Sequence, residues 1–169
     1  VAYTSFESSS TGNWVVTDAS RNVDGFTGRQ SFVLNSTNNI SYTNSSSNLD
    51  FLVSYWSKTG PVNIGGATVV SSKTGIARNG WTYYEHKVRT SGSNIILTAT
   101  SANVLDELRL YPANAQMETY AYVPLLGTST KCDVTNSIAN YIYDSFGRLV
   151  MVKDGDGNVL KTVEYNYKN

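Results

Sequence analysis

The sequence is poor in the residues that most often carry chemistry. One histidine, His86, and one cysteine, Cys132, stand in 169 residues. An internal disulfide is therefore excluded, and no zinc-ligand spacing occurs. Charged residues make up only 15% of the chain, with 13 basic against 13 acidic and no basic run. That balance argues against nucleic acid as a partner, because phosphate binding needs a concentrated positive surface. No apolar run is long enough to cross a bilayer as a helix. Phosphate-cradling glycine loops and nucleophile-elbow motifs are missing, and no stretch keeps a helical period. The first residue is Val1 rather than Met, so any export signal is expected outside this sequence.

What is present is Ser, Thr, Asn, Gly and Tyr, with a hydrophobic content of 40% that suffices for one core. This usage fits an all-β, turn-rich protein, secreted or displayed at a cell surface. Short strands are expected at Ala2 to Glu7, Gln30 to Asn35, Phe51 to Lys58, Trp81 to Thr90, Asn94 to Thr100 and Leu105 to Tyr111, the spacing of a β-sandwich. Polar clusters at Ser8 to Gly12, Asn35 to Asn39, Asn44 to Asn48 and Asn79-Gly80 read as its corners. Pro112 ends the last of these strands and marks a boundary, giving residues 1–112 and 113–169 as two regions.

Alternation assigns the faces. Val53 and Tyr55 share one side of their strand, with Ser54, Trp56 and Lys58 on the other. Tyr84, His86 and Val88 share a face, leaving Trp81, Tyr83, Glu85, Lys87 and Arg89 on a wetter one. In the strand from Leu105, strict alternation places Asp106, Leu108 and Leu110 together and Glu107, Arg109 and Tyr111 opposite.

The second region repeats itself. Tyr120 and Tyr122 recur as Tyr141 and Tyr143, Gly127 as Gly147, and Asp133 as Asp154; Tyr165 and Tyr167 open a further copy. Each unit reads as a strand, a Gly-centred turn, a second strand and an Asp/Asn/Gly turn. Tyr143-Asp144, Phe146-Gly147-Arg148-Leu149 and Asp156-Gly157-Asn158 make this region resemble the YD repeats of the RHS family, whose hairpins build spiralling shells or surface scaffolds. The upstream copy has Val123-Pro124 in place of Tyr-Asp. The resemblance implies remaining repeats elsewhere in a larger parent chain, and an open edge at Val163 to Tyr167 able to pair with another copy.

In the first region Ser5-Phe6-Glu7, Gly28-Arg29-Gln30-Ser31-Phe32, Val53-Ser54-Tyr55-Trp56 and Leu105-Asp106-Glu107-Leu108-Arg109-Leu110 occur in an order similar to that of jelly-roll carbohydrate-binding modules with the galactose-binding-like sandwich. This resemblance implies a glycan ligand and a structural calcium ion, held by Glu7, Asp106 and backbone carbonyls near Arg29 and Gln30. A sugar site needs an exposed aromatic plane flanked by planar polar groups. Trp56 with Glu107 and Arg109 is the first candidate, and Trp14 and Tyr42 are alternative platforms. Asp154-Gly155-Asp156-Gly157-Asn158 lacks the glycine and glutamate of a calcium loop and reads as a hairpin turn.

His86 and Cys132 lack a second residue that would activate them, so they are read as packing residues. The expectation is a non-enzymatic carbohydrate-binding module of a larger exported repeat protein. The alternative is a structural cap or scaffold with no small ligand.

Overall fold

The computed structural model describes residues 1–16 and 21–166. It is all-β, with sixteen strands and no helix among the described residues, in two compact units, Val1–Gln116 and Met117–Asn169.

The first unit is a sandwich of two antiparallel sheets. The larger holds β1 (Ala2–Thr4), β3 (Arg21–Asn22), β4 (Ser31–Leu34), β6 (Ser47–Ser57), β8 (Ala67–Arg78), β9 (Trp81–Ser91) and β11 (Asn103–Pro112). Its order is β3-β4-β11-β6-β9-β8, and β1 also pairs with β11. The smaller sheet runs β2 (Trp14–Val16), β5 (Ile40–Tyr42), β10 (Ile95–Thr98), β7 (Asn63–Gly65). Alternating side chains from both sheets fill the space between them: Trp14, Ile40, Ile95 and Leu97 meet Leu34, Val53, Tyr55, Val88, Leu105, Leu108 and Leu110. Asn79 and Gly80 both have positive φ, at 49° and 79°, which is the two-residue turn whose twist suits the β8–β9 hairpin.

All six strands expected in this unit are present. The longest unexpected one is β8. It pairs only with β9, and nearly all its residues are exposed or half-exposed, so it never acquired the apolar alternation that betrays a half-buried strand. The cluster from Asn44 to Asn48 is only partly a corner, since β6 already begins at Ser47.

The second unit is one five-stranded sheet, an antiparallel meander of β12 (Thr119–Val123), β13 (Gly127–Cys132), β14 (Ile138–Tyr143), β15 (Leu149–Asp154) and β16 (Val159–Thr162). Three of its turns are built alike. Asp133, Asp144 and Asp154 each accept, through Oδ1, the backbone N–H of the residues two and four positions on, at 2.8–3.0 Å. The fourth residue of each turn, Asn136, Gly147 and Gly157, has positive φ. An aspartate at the turn's start thus takes the amides that the bend leaves without partners. The β12–β13 turn lacks the aspartate, and there Leu125 adopts φ 68° with its side chain fully in solvent. The edge expected at Val163 to Tyr167 lies earlier: β16 is the last described strand, 163–166 carry none, and Tyr167 lies outside the described residues.

Candidate functional site

The outer face of the larger sheet, turned away from the main core, carries Trp56, Asp106, Glu107 and Arg109. A β-bulge in β11 decides their arrangement. Asp106 pairs with Trp56 of β6 and Arg109 with Ser54, so Glu107 and Leu108 together stand against Tyr55, and Glu107 takes φ 53°. The extra residue resets the alternation. Leu105, Leu108 and Leu110 face the core, while Asp106 joins the Trp56 side instead of sharing a face with Leu108 and Leu110 as strict alternation required. Asp106 and Glu107, expected on opposite faces, converge on one residue, Thr27.

Thr27 donates its N–H to Asp106 Oδ2 at 2.8 Å, and its hydroxyl lies 2.9 Å from Glu107 Oε1. Tyr3 donates its hydroxyl to the same Glu107 oxygen at 2.7 Å, and Arg109 Nη2 reaches Glu107 Oε2 at 3.0 Å. Asp106 Oδ1 accepts the Glu107 N–H at 2.7 Å. Thr27, Asp106, Glu107 and Arg109 are all buried. Burial, reinforced by the neighbouring Glu107 charge, holds the Asp106 carboxyl well above the usual carboxylate range.

Trp56 does not offer an open plane. Phe26, from the loop before β4, stacks on its ring at 4.0 Å between centroids and 26° between planes. Trp81 and Tyr83 close the sides, leaving Trp56 2% exposed. The β9 face expected to be wet is therefore dry at its Trp81 and Tyr83 end and opens only toward Arg89. Glu107 and Arg109 are as inaccessible as Trp56. Trp14 lies inside the main core with Tyr42 edge-on against it at 6.1 Å, which leaves Tyr42 alone of the five candidates partly in solvent. Phe26 and Thr27, the residues that roof this face, went unnoticed in the sequence; their one signal is the pair of flanking glycines, Gly25 and Gly28.

The carboxylates expected to hold calcium accept hydrogen bonds from backbone amides in this structure. Glu7 Oε1 accepts the backbone N–H groups of Arg29 and Gln30, at 2.7 and 2.6 Å. Arg29 and Gln30 thus present backbone donors to Glu7. A methyl group at Gly25 would meet the carbonyl oxygens of Gln30 and Thr27 at 2.6 and 2.8 Å, so two carbonyls do crowd that spot. The Glu7 and Asp106 carboxylates on either side meet loop amides, and among the described residues no three His, Cys, Asp or Glu side chains gather as a metal site. As arranged, Glu7 and Asp106 clamp the loop 26–30 directly.

His86 sits in the wall of the core with both ring nitrogens engaged, by the Tyr55 hydroxyl at 2.9 Å and the Ser72 hydroxyl at 2.8 Å. Tyr55 in turn accepts the Val62 N–H at 2.8 Å. Burial lowers the His86 pKa. Cys132 is a buried small side chain in the second unit.

An open recess of about 550 Å³ lies at the end of β6 and β9. Asp50 lies in it between Lys87, 2.9 Å away, and Arg89, which grips both carboxylate oxygens at 2.8 and 3.1 Å. These cations hold the Asp50 carboxyl far below its ordinary range.

Comparison with models of known protein families and with curated proteins found no match to this chain.

Proposed function

We propose that this chain is a non-catalytic scaffold module of a larger exported repeat protein of the RHS type, with a sandwich followed in the chain by a hairpin array. The observation that carries this reading is the gradient of burial across the five-stranded sheet. Ala121, Cys132 and Ile138, near its β12 side, are buried, whereas every residue of β16 is exposed, Val159 and Leu160 among them. Among the described residues β16 pairs with β15 on one side only. A single-layer sheet with apolar residues and free backbone groups at its margin is suited to receive another strand. The three aspartate turns make such hairpins self-defined, because each bend is closed by its own side chain.

Of the five residues expected to meet a sugar, Trp56, Glu107, Arg109 and Trp14 are buried and Tyr42 is partly in solvent. The outer face of the sandwich instead supports a structural role: the Thr27–Asp106–Glu107–Arg109 network and the Phe26–Trp56 stack pin the loop 24–30 to the sheet.

Sedimentation velocity over a wide concentration range tests the proposal. Strand pairing through β16 predicts reversible association that Leu160→Lys weakens, because a charge at the margin opposes edge-to-edge contact. A strictly monomeric species at high concentration, or association indifferent to Leu160→Lys, would remove β16 as the growing edge.

A further inference from the structure

We infer that the recess around Asp50 is a binding site for a singly charged acidic sugar, a uronate unit of a glycan. The inference is independent of the scaffold reading and relocates sugar recognition away from the buried Trp56 face.

The charges come first. Lys87 and Arg89 point from β9 into the recess, with Asp50 of β6 as the one acidic group among its lining residues, so two cations face one anion. Arg89 uses Nε and one Nη2 hydrogen on Asp50, and Lys87 uses one of its three ammonium hydrogens. The remaining donors have no acceptor among the described residues. Their surplus is one positive charge, which matches a carboxylate; a phosphate dianion would remain under-compensated and would be repelled by Asp50. That the two cations already hold a carboxylate shows that their spacing suits that group.

The neutral polar groups come next. Asn48, at φ 58° in the irregular start of β6, and Asn114, just past β11, both border the recess, and neither carboxamide has a hydrogen-bond partner among the described residues. A planar amide offers both a donor and an acceptor, the combination that a pair of sugar hydroxyls requires. The rim that carries Asn114 is fixed to the sheet, because Ala113 donates its N–H to the Asp50 carbonyl at 2.9 Å and Ala115 closes a turn onto Pro112 at 2.9 Å. Leu49, Phe51 and Pro112 supply apolar lining for the sugar's C–H faces. The volume lies within the roughly 300–1,000 Å³ typical of small-molecule sites.

Isothermal titration of the whole chain tests this, with oligogalacturonate, a neutral gluco-oligomer of equal length, and inorganic phosphate as the three probes. The expected result is binding of the uronate at least about tenfold tighter than either other probe, the scale of a charge-assisted hydrogen bond. Raising the salt should weaken it. Lys87→Met leaves the Asp50–Arg89 fork in place and should reduce uronate affinity about tenfold, while Asn114→Ala should weaken both sugars. Equal affinity for the neutral sugar, preference for phosphate, binding untouched by Lys87→Met, or no binding of the uronate would each overturn the assignment. None of these outcomes bears on sedimentation through β16, so the two ideas fail separately.

Discussion

In the unit Val1–Gln116 two sheets face each other, and the side chains of Leu34, Ile40, Val53, Tyr55 and Leu97 are wholly shielded between them. In the unit Met117–Asn169 a single sheet has no such second layer within the unit, and Tyr122, Phe146 and Leu160 lie largely in solvent. Both are antiparallel and built from short strands, yet they secure their strands by different means. The sandwich relies on apolar burial between layers and adds a second, smaller aromatic cluster on its outer face. The hairpin sheet relies on turns whose aspartates satisfy the local backbone. The first kind of stability is collective, so it is concentrated in a few large side chains. The second is local and repeats with each hairpin.

The largest expected effect breaks the collective unit. Trp56→Ala removes the ring that Phe26, Trp81 and Tyr83 pack around, and should cost ~3–5 kcal/mol, the usual range for deleting a buried aromatic. Tyr122→Ala, on a ring 60% exposed, should change stability by less than ~0.5 kcal/mol. All three tryptophans, Trp14, Trp56 and Trp81, belong to the sandwich. Tryptophan fluorescence during urea unfolding therefore reports that unit alone, while far-ultraviolet circular dichroism reports both. A cost below ~1 kcal/mol for Trp56→Ala would show that its roof is open and would return the ring to the list of sugar platforms.

A second effect sharpens the comparison through pH. His86 is the only histidine and lies in the sandwich. Burial depresses its pKa in the folded state, so as pH falls below about 6.5 the unfolded chain takes up a proton that the folded chain resists. Stability then declines until the folded pKa is reached, with a slope bounded by ~1.4 kcal/mol per pH unit for one proton. Asp106 acts with the opposite sign: its pKa is raised in the folded state, so acidification relieves a cost between that raised value and the ordinary carboxylate pKa. The two are separated by comparing the parent protein with His86→Gln, in which the Asp106 contribution is common to both. The stability difference between the two proteins should narrow steadily from pH 7.5 to 5.5. A constant difference across that window would mean that His86 titrates alike in both states.

Much of this arrangement was legible in the sequence, and the exceptions have physical causes. The six apolar strands, the turn at Asn79-Gly80 and the alternation of Val53 and Tyr55 against Trp56 follow from period-two patterning and positive-φ residues. The repeat from Asp133 to Asp154 was visible because turn chemistry is local. β8 escaped notice because a strand exposed on both faces has no reason to alternate. The bulge at Glu107 escaped for a different reason: a one-residue insertion leaves no mark in composition, although it moves Asp106 from one face to the other. Burial of Trp56 depends on Phe26, thirty positions away in sequence, and alternation can tell that a ring leaves the core side without telling what waits there. The recess at Asp50 combines β6, β9 and the segment after β11, so only the assembled sheet reveals it.

The smallest effect probes the local unit where its own rule is broken. Three of the four turns in the hairpin sheet place an aspartate at the start and Asn or Gly at the positive-φ position, and the turn after Val123 lacks the aspartate and puts Leu125 at positive φ ahead of Gly127. Leu125 holds φ 68° with its side chain fully solvated, so it bears the steric cost of the left-handed region with no packing to offset it. Leu125→Gly relieves that cost, partly offset by the greater freedom of glycine in the unfolded chain, and should stabilise the unit by up to ~1 kcal/mol. Asp154→Ala should act in the other direction, because the amides of Asp156 and Asn158 lose their shared acceptor. Hydrogen exchange at the β12–β13 and β15–β16 amides reads both changes locally. If Leu125→Gly accelerates exchange, the leucine is being held by something that covers it, and the turn that departs from the repeat would be a contact surface instead of a worn copy.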